Sequence, residues 1–168
     1  MWYVVQVQTG TEERIRTQCI SIIDEKILER CFIPYYEEKK KYQGTWHTEK
    51  KVLFPGYVFM VSERLTELYK ELRKVIGLTK LLGTGKEIVP LSEEEMELLQ
   101  RMGAGERPLE ISKGFIENGT VIVTEGPLAG MEGCICKIDR HKRKAWLEIK
   151  MFGRTMEMEV GLEIIAKK

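Results

Sequence analysis

The periodicity of this chain changes abruptly near residue 110, and that change dictates its architecture. Up to Met102, apolar residues alternate between strand-like and helix-like spacing. The stretch "GAGERPLEISK" then combines glycines, a proline and charges, as linkers do. Beyond it, "TVIVT", "CICKID", "AWLEIK", "TMEMEV" and "EIIAK" are short alternating segments punctuated by glycines. Five short strands in about fifty-five residues predict a small β-barrel. We therefore expect a first domain over residues 1–103, a linker over 104–113 and a second domain over 114–168. With 168 residues in all, each core is small.

The first part has its own order. Trp2 to Gln8 is rich in strand formers. Thr9 and Glu12 have capping-box spacing, so a helix is expected to start there, with Ile15, Cys19, Ile22, Ile23 and Ile27 along its apolar side. "RCFIPYYE" is a second strand. "EEKKKYQGTWHTEKK" is polar around Gly44 and predicts an exposed hairpin or loop. "VLFPGYVFMV" is a third strand, Leu65, Leu68, Leu72 and Val75 mark a second helix, and "LTKLLG" a short fourth strand. Ser92 and Glu95 repeat the capping-box spacing ahead of a helix lined by Met96, Leu99 and Met102. The order β-α-β-β-α-β with a helix appended predicts an α+β fold, a ferredoxin-like α/β sandwich with an antiparallel sheet.

Composition excludes several classes. A net charge of +1 provides no global basic field, so a nucleic-acid site has to be a local patch. The start, "MWYVVQVQTG", has neither a basic nor an apolar leader region, and the longest apolar run is too short for a bilayer span; a cytoplasmic protein without a membrane partner is expected. Four cysteines, Cys19, Cys31, Cys134 and Cys136, are expected as free thiols and small buried hydrophobes. Cys134 and Cys136 form C-x-C, and neither His47 nor His141 completes a ligand set, so no metal or other cofactor is expected. No paired carboxylates or catalytic triad emerge, which argues against an enzyme.

Three stretches carry functional signal. "VLFPGYVFMV" places Pro55-Gly56 inside the most apolar run of the chain, where a regular ladder is interrupted. "EGPLAGMEG" has Gly126, Pro127, Gly130 and Gly133 but lacks the lysine and hydroxyl of a phosphate loop, so it is a tight turn. "DRHKRKAW" concentrates Arg140, His141, Lys142, Arg143 and Lys144 at the expected tip of a barrel hairpin. There it is either a solvated turn or a phosphate-binding patch, with Trp146, expected in the core, as a neighbouring ring.

"GTVIVTEGPLAGMEGCICKID" resembles the KOW motif of ribosomal proteins and transcription elongation factors, which implies an SH3-like barrel. "WYVVQVQTGTE", "FIP" at Phe32 to Pro34, "FPGYVF" at Phe54 to Phe59 and "MFGR" at Met151 to Arg154 resemble the NusG family of transcription elongation factors, across nearly the whole chain. The resemblance implies an N-terminal NGN domain that binds the clamp of RNA polymerase through Trp2, Tyr3, Phe54, Pro55, Gly56 and Tyr57. It also implies a monomer whose barrel contacts a ribosomal protein or a termination factor, with Phe152 and Arg154 as candidates. Met151, Met156 and Met158 form either an adaptable apolar surface there or, on the face that Met156 and Met158 share, part of the core. Housekeeping members read the non-template DNA strand through an Asn-Thr pair. Here the matching segment is "RKVIGLT", which departs from that pair, so sequence reading of DNA is not expected, while the charges of Arg73 and Lys74 still suit phosphate contacts. With the dense basic turn, these departures resemble the specialised antiterminators of the LoaP group, whose partner is a hairpin in the nascent leader RNA. The alternatives are a housekeeping NusG-type factor whose barrel binds protein, and a ribosome-associated KOW protein that binds RNA.

Overall fold

The computed structural model of the chain describes residues 1–75 and 89–168, with Val89 in backbone alone. The strand expected at "LTKLLG" and most of "RKVIGLT" lie outside these residues. In chain order the elements are β1 (Trp2–Gln6), α1 (Glu12–Ile22), β2 (Arg30–Phe32), β3 (Tyr35–Tyr42), β4 (Thr45–Val52), β5 (Tyr57–Val61), α2 (Leu65–Leu72), β6 (Val89–Pro90), α3 (Glu93–Arg101), β7 (Ser112–Glu117), β8 (Thr120–Glu125), a 3-10 turn (Glu132–Cys134), β9 (Ile135–Asp139), β10 (Lys144–Met151) and β11 (Arg154–Lys167). They form two compact units: Met1–Ile33 with Phe54–Gln100, and Pro34–Leu53 with Arg101–Lys168.

The first unit is built on an antiparallel sheet in the order β2-β5-β1-β6. Tyr3, Val4 and Val5 on β1 and Val58, Phe59 and Met60 on β5 are all buried, so both faces of this sheet are covered. Residues opposite one another in the register share a face. Cys31, Met60, Tyr3 and Val58 therefore belong to one face and Phe32, Phe59, Val4 and Trp2 to the other. α1 packs on β2 and β5 and sets Cys19 against Cys31, so it covers the first of these.

Helix starts illustrate how far local pattern reaches. At α3 the capping box forms as read: Ser92 N–H donates to Glu95 Oε1 at 3.0 Å, and Glu95 N–H to Ser92 Oγ at 3.2 Å. At α1 it does not, because the helix begins at Glu12 rather than at Thr9. The Glu12 carboxylate is buried and accepts the Gly10 N–H at 2.7 Å and the Gly56 N–H at 2.9 Å. α1 also ends at Ile22, which is 44% exposed, while Ile23 just beyond it is buried. Leu65 is exposed too, so the core face of α2 is Leu68 and Leu72, continued by Val75.

In the second unit, β8-β7-β11-β10-β9 form a five-stranded sheet, the SH3-like barrel of a KOW domain. Its strands differ from the expected set in two ways. "TMEMEV" and "EIIAK" are one continuous strand, β11, and the fifth strand is β7, which starts at Ser112 and pairs with β11 in parallel. The Gly126–Gly130 turn follows β8. Gly126 has φ +101° and sits against Ser112, whose buried Oγ accepts the Leu128 N–H at 3.1 Å; a Cβ at Gly126 would lie 2.6 Å from that oxygen. Gly130 donates its N–H to Glu132. Two-residue hairpins close β7–β8 at Asn118-Gly119 and β10–β11 at Phe152-Gly153, with positive φ at both residues as twisted hairpin turns require.

The unit also contains β3–β4, a hairpin of the same kind closed at Gln43-Gly44. The sequence places these strands within residues 1–103, but they pack with the barrel. β3 binds the expected linker: Glu37 N–H donates to Leu109 O and Leu109 N–H to Tyr35 O, both at 2.8 Å. Gly161 of β11 admits this approach, because a Cβ there would stand 2.8 Å from Glu37 O.

Candidate functional site

The aromatic candidates sit where β1 and β5 pair. "VLFPGYVFMV" is not one strand: β4 ends at Val52, Leu53 to Gly56 turn the chain, and β5 starts at Tyr57. Gly56 takes φ +88°, and its C=O accepts the Val7 N–H at 2.8 Å while its N–H is held by Glu12. The Pro-Gly pair is thus a pinned corner. Around it, Tyr3, Phe54 and Gly56 are buried and Tyr57 is only 7% exposed, its hydroxyl accepting from Gln6 Nε2 at 3.3 Å. Pro55 is exposed and Trp2 half-buried. Tyr57 is therefore packed in rather than presented, since it begins a strand whose both faces are covered.

These rings form a run that the sequence only partly disclosed. Trp2 meets Phe32 edge-on at 5.5 Å between centroids, Phe32 stacks on Phe59 at 5.4 Å, and Phe59 meets Phe54 edge-on at 5.6 Å. Such pairs add about 0.5–1.5 kcal/mol each beyond area burial. Tyr3 faces the other way, toward the α1 side. Phe32 and Phe59 belong to the "FIP" and "FPGYVF" motifs, and the register places both in this run. Arg73 and Lys74, just after α2, are exposed, with Arg73 over the Tyr69 ring at 4.8 Å and Lys74 3.1 Å from Glu71 Oε1.

The basic cluster divides in two. Arg140, His141 and Lys142 stand exposed at the tip between β9 and β10. The tip is closed by Lys142 N–H donating to Asp139 Oδ1 at 3.0 Å, which holds that carboxyl below its usual range. Arg143 and Lys144 are drawn away from solvent toward the β3–β4 hairpin. Lys144 Nζ donates to Glu38 Oε1 and lies 3.5 Å from Glu159 Oε1. Glu38 is 5% exposed in its side chain and Lys144 14%, and Lys51 Nζ approaches the other Glu38 oxygen at 3.6 Å. Burial pushes the Glu38 carboxyl upward, but the Lys144 hydrogen bond and the charges of Lys144 and Lys51 prevail and hold it below its ordinary value of 4.5. By the same balance Lys144 is held above 10.5. Tyr36 donates its hydroxyl to Glu159 Oε2, and Arg143 lays its guanidinium 3.9 Å from the Trp46 ring centre and 3.8 Å from Glu163.

Trp146 was expected in the core. On β10, however, Ala145, Leu147, Ile149 and Met151 point inward, and alternation puts Trp146 outside, with Lys137 Nζ over its ring at 4.7 Å. Met151 and Met158 are core, Met156 is half-buried, Phe152 is half-buried and Arg154 exposed at the β10–β11 turn. Cys134 belongs to the 3-10 turn rather than to β9, so it does not share a strand face with Cys136. The latter is exposed and donates to Trp146 O at 3.3 Å, which corrects the expectation of burial for this pair. Among the described residues, no group of three or more His, Cys, Asp or Glu is placed to hold a metal ion, and no helix is long and apolar enough to cross a membrane.

The model of the family described as "Transcription termination factor nusG" matches residues 1–100. The chain belongs to the NusG family. It is 32% identical to the transcription termination/antitermination protein NusG of Bacillus subtilis, over 99% of this chain and 97% of that one. The NusG of Halalkalibacterium halodurans is 31% identical over similar shares. Among solved structures, one reporting domain interaction in Thermotoga maritima NusG superposes with a TM-score of 0.58 at 25% identity, covering 97% of this chain and 93% of that one. NusG-family proteins are transcription factors rather than enzymes, and the pairing of an NGN fold with a KOW barrel follows the family plan.

Proposed function

We propose that this NusG-family chain is a processive antitermination factor that binds RNA polymerase with its NGN domain, residues 1–103, and is recruited to particular transcripts by RNA. The KOW barrel, residues 114–168, holds the RNA, and residues 104–113 join the two. The observation that carries the RNA reading is the exposed Arg140-His141-Lys142 tip between β9 and β10. Cations on a rigid hairpin neutralise phosphates at small cost in backbone order, and their contacts release counterions. The partner that suits such a tip is a hairpin in the nascent leader, as in the LoaP group.

The polymerase contact, at the clamp, lies at the Pro55–Gly56 corner and along the Trp2–Phe32–Phe59–Phe54 run. Trp2 and Pro55 are its accessible members, and Tyr3 and Tyr57 support it from within the sheet. Binding the processive conformer of the polymerase more tightly than the paused one suffices to promote elongation. Tethering both contacts on one chain raises the effective concentration of each for the other. Arg73 and Lys74 supply auxiliary phosphate contacts, and Phe152 with Arg154 a surface for a ribosomal protein or termination factor. The factor works as a monomer in the cytoplasm.

The test is a titration of the full chain with a stem-loop RNA at physiological salt, followed by fluorescence anisotropy, beside the R140E/K142E variant. Reversal of two tip charges is expected to weaken binding at least tenfold. Equal affinity of the two proteins, or no affinity in the parent, removes the RNA reading.

A further inference from the structure

We propose that one face of the β3–β4 hairpin continues the basic tip of the barrel, so that RNA is held along a strip spanning both. The inference rests on the RNA reading of the tip and extends it to residues outside the KOW sequence.

The register sorts the hairpin's side chains into two faces of different charge. Lys41 lies opposite Trp46, Lys39 opposite Thr48 and Glu37 opposite Lys50, so these share a face with Tyr35. That face carries three lysines against one glutamate. The other face pairs Glu38 with Glu49, Lys40 with His47 and Tyr36 with Lys51, and its charges balance. The balanced face supplies Glu38 and Tyr36 to the barrel, where Lys144 and Glu159 receive them. Docking thus uses Glu38 and Tyr36 of the balanced face and leaves the cationic face available.

The cationic side is also supplied with rings. Lys50 Nζ lies 4.2 Å from the Tyr35 ring centre and Lys41 Nζ 6.0 Å from that of Trp46, while Lys39 Nζ donates to Thr48 Oγ1 at 2.8 Å. Among the described residues, none of the three ammonium groups pairs with a carboxylate. Lys41 and Lys50 are exposed. Successive side chains on one strand face stand about 7 Å apart, so Lys39 and Lys50 lie between a ring at each end of the face, Trp46 beside Lys41 near the turn and Tyr35 at the base. Cations flanked by rings suit a single strand or loop of RNA, whose phosphates meet the cations and whose unstacked bases find apolar rings. Arg143 is the joint. Its guanidinium covers Trp46 from the barrel side, and it directly follows the exposed tip residues.

The experiment uses the full chain and a stem-loop RNA with single-stranded flanks, its binding followed by anisotropy over a range of salt concentrations. K41Q/K50Q and R140Q/K142Q are compared with the parent. Each contacted phosphate contributes about 0.7–0.9 to the slope of log K against log salt. Each pair is expected to reduce that slope by about 1.5 and the affinity several-fold, with the two effects adding in the combined variant. Amide exchange at Glu37 and Leu109 checks that the hairpin stays docked. If R140Q/K142Q weakens binding while K41Q/K50Q leaves both slope and affinity unchanged, the strip is refuted and the tip reading stands. If the parent binds no RNA, both fall. If K41Q/K50Q spares RNA but abolishes binding of poly-glutamate, the face serves an acidic protein instead and the proposal is overturned.

Discussion

Replacing Lys144 by methionine should loosen the β3–β4 hairpin from the barrel while leaving the barrel intact. Lys144 is 14% exposed and its ammonium bridges Glu38 and Glu159; among the described residues, Glu38, at 5% exposure, keeps only the Lys51 ion pair at 3.6 Å once Lys144 is gone. Removing one partner of a fully buried ion pair costs about 3–5 kcal/mol, chiefly because the other charge is stranded. Lys51 and the residual exposure offset part of this, so about 2–3 kcal/mol is expected. Local opening exchanges the amides it exposes, so Glu37 N–H and Leu109 N–H report it directly. Their protection should fall about 30- to 150-fold at about 1.4 kcal/mol per decade, while β10–β11 amides such as Leu147 hold theirs. The double variant E38Q/K144M should recover more than half of the loss, because no charge is left stranded. The pH dependence has a definite sign. Glu38 sits below its ordinary value, so its contribution is complete above about pH 4.5 and is lost as pH falls through the lower folded value. Lys144 sits above 10.5, so its contribution is complete below that pH and is lost on titration beyond it. Hairpin protection should hold a plateau between these limits. A loss below about threefold for K144M, or a double variant as loose as the single one, would refute this account of the docking.

Gly161→Ala should also release the hairpin, because the added Cβ would stand 2.8 Å from Glu37 O; lower protection at Glu37 with unchanged barrel strands is the expected readout. Glu12→Ala strands the Gly10 and Gly56 amides at the Pro-Gly corner and should cost the first unit about 2–4 kcal/mol in urea unfolding. In a thiol titration of the native chain, Cys136 should react first and Cys134 next. Cys19 and Cys31 should react only on unfolding, because both are buried and the hydrogen bond with Cys19 together with burial pushes the Cys31 thiol up.

Local signals were legible where their causes are local. The Ser92–Glu95 capping box, the glycine turns and the alternation of β10 all follow from residues a few positions apart, and an α+β fold with a small β-barrel follows from them; that the barrel is of the KOW type was implied by the family resemblance. Thr9–Glu12 has the same spacing as Ser92–Glu95 yet makes no such box, because the helix begins only at Glu12, whose carboxylate is held by the amides of Gly10 and of Gly56, forty-four residues away. The pattern of β11 breaks at Gly161, where glycine marks not a turn but the close passage of β3. β7 carries no clear strand signal, because "SKGFIE" begins within a linker-like composition. Of the candidate site, the basic tip was legible as a charge run. Its division into exposed Arg140, His141 and Lys142 and the engaged Arg143 and Lys144 was not, since Glu38 and Trp46 lie about a hundred residues upstream. Nor was the burial of Tyr57, which depends on both faces of the first sheet being covered.

The claim that this chain is an RNA-recruited antitermination factor is tested most directly by transcription in vitro with purified bacterial RNA polymerase. The template should encode a leader that forms the RNA hairpin the full chain binds, followed by an intrinsic terminator. The account predicts increased read-through with the parent chain, dependent on the leader and lost with R140E/K142E. Unchanged read-through, increased termination, or the same read-through without the leader would contradict it.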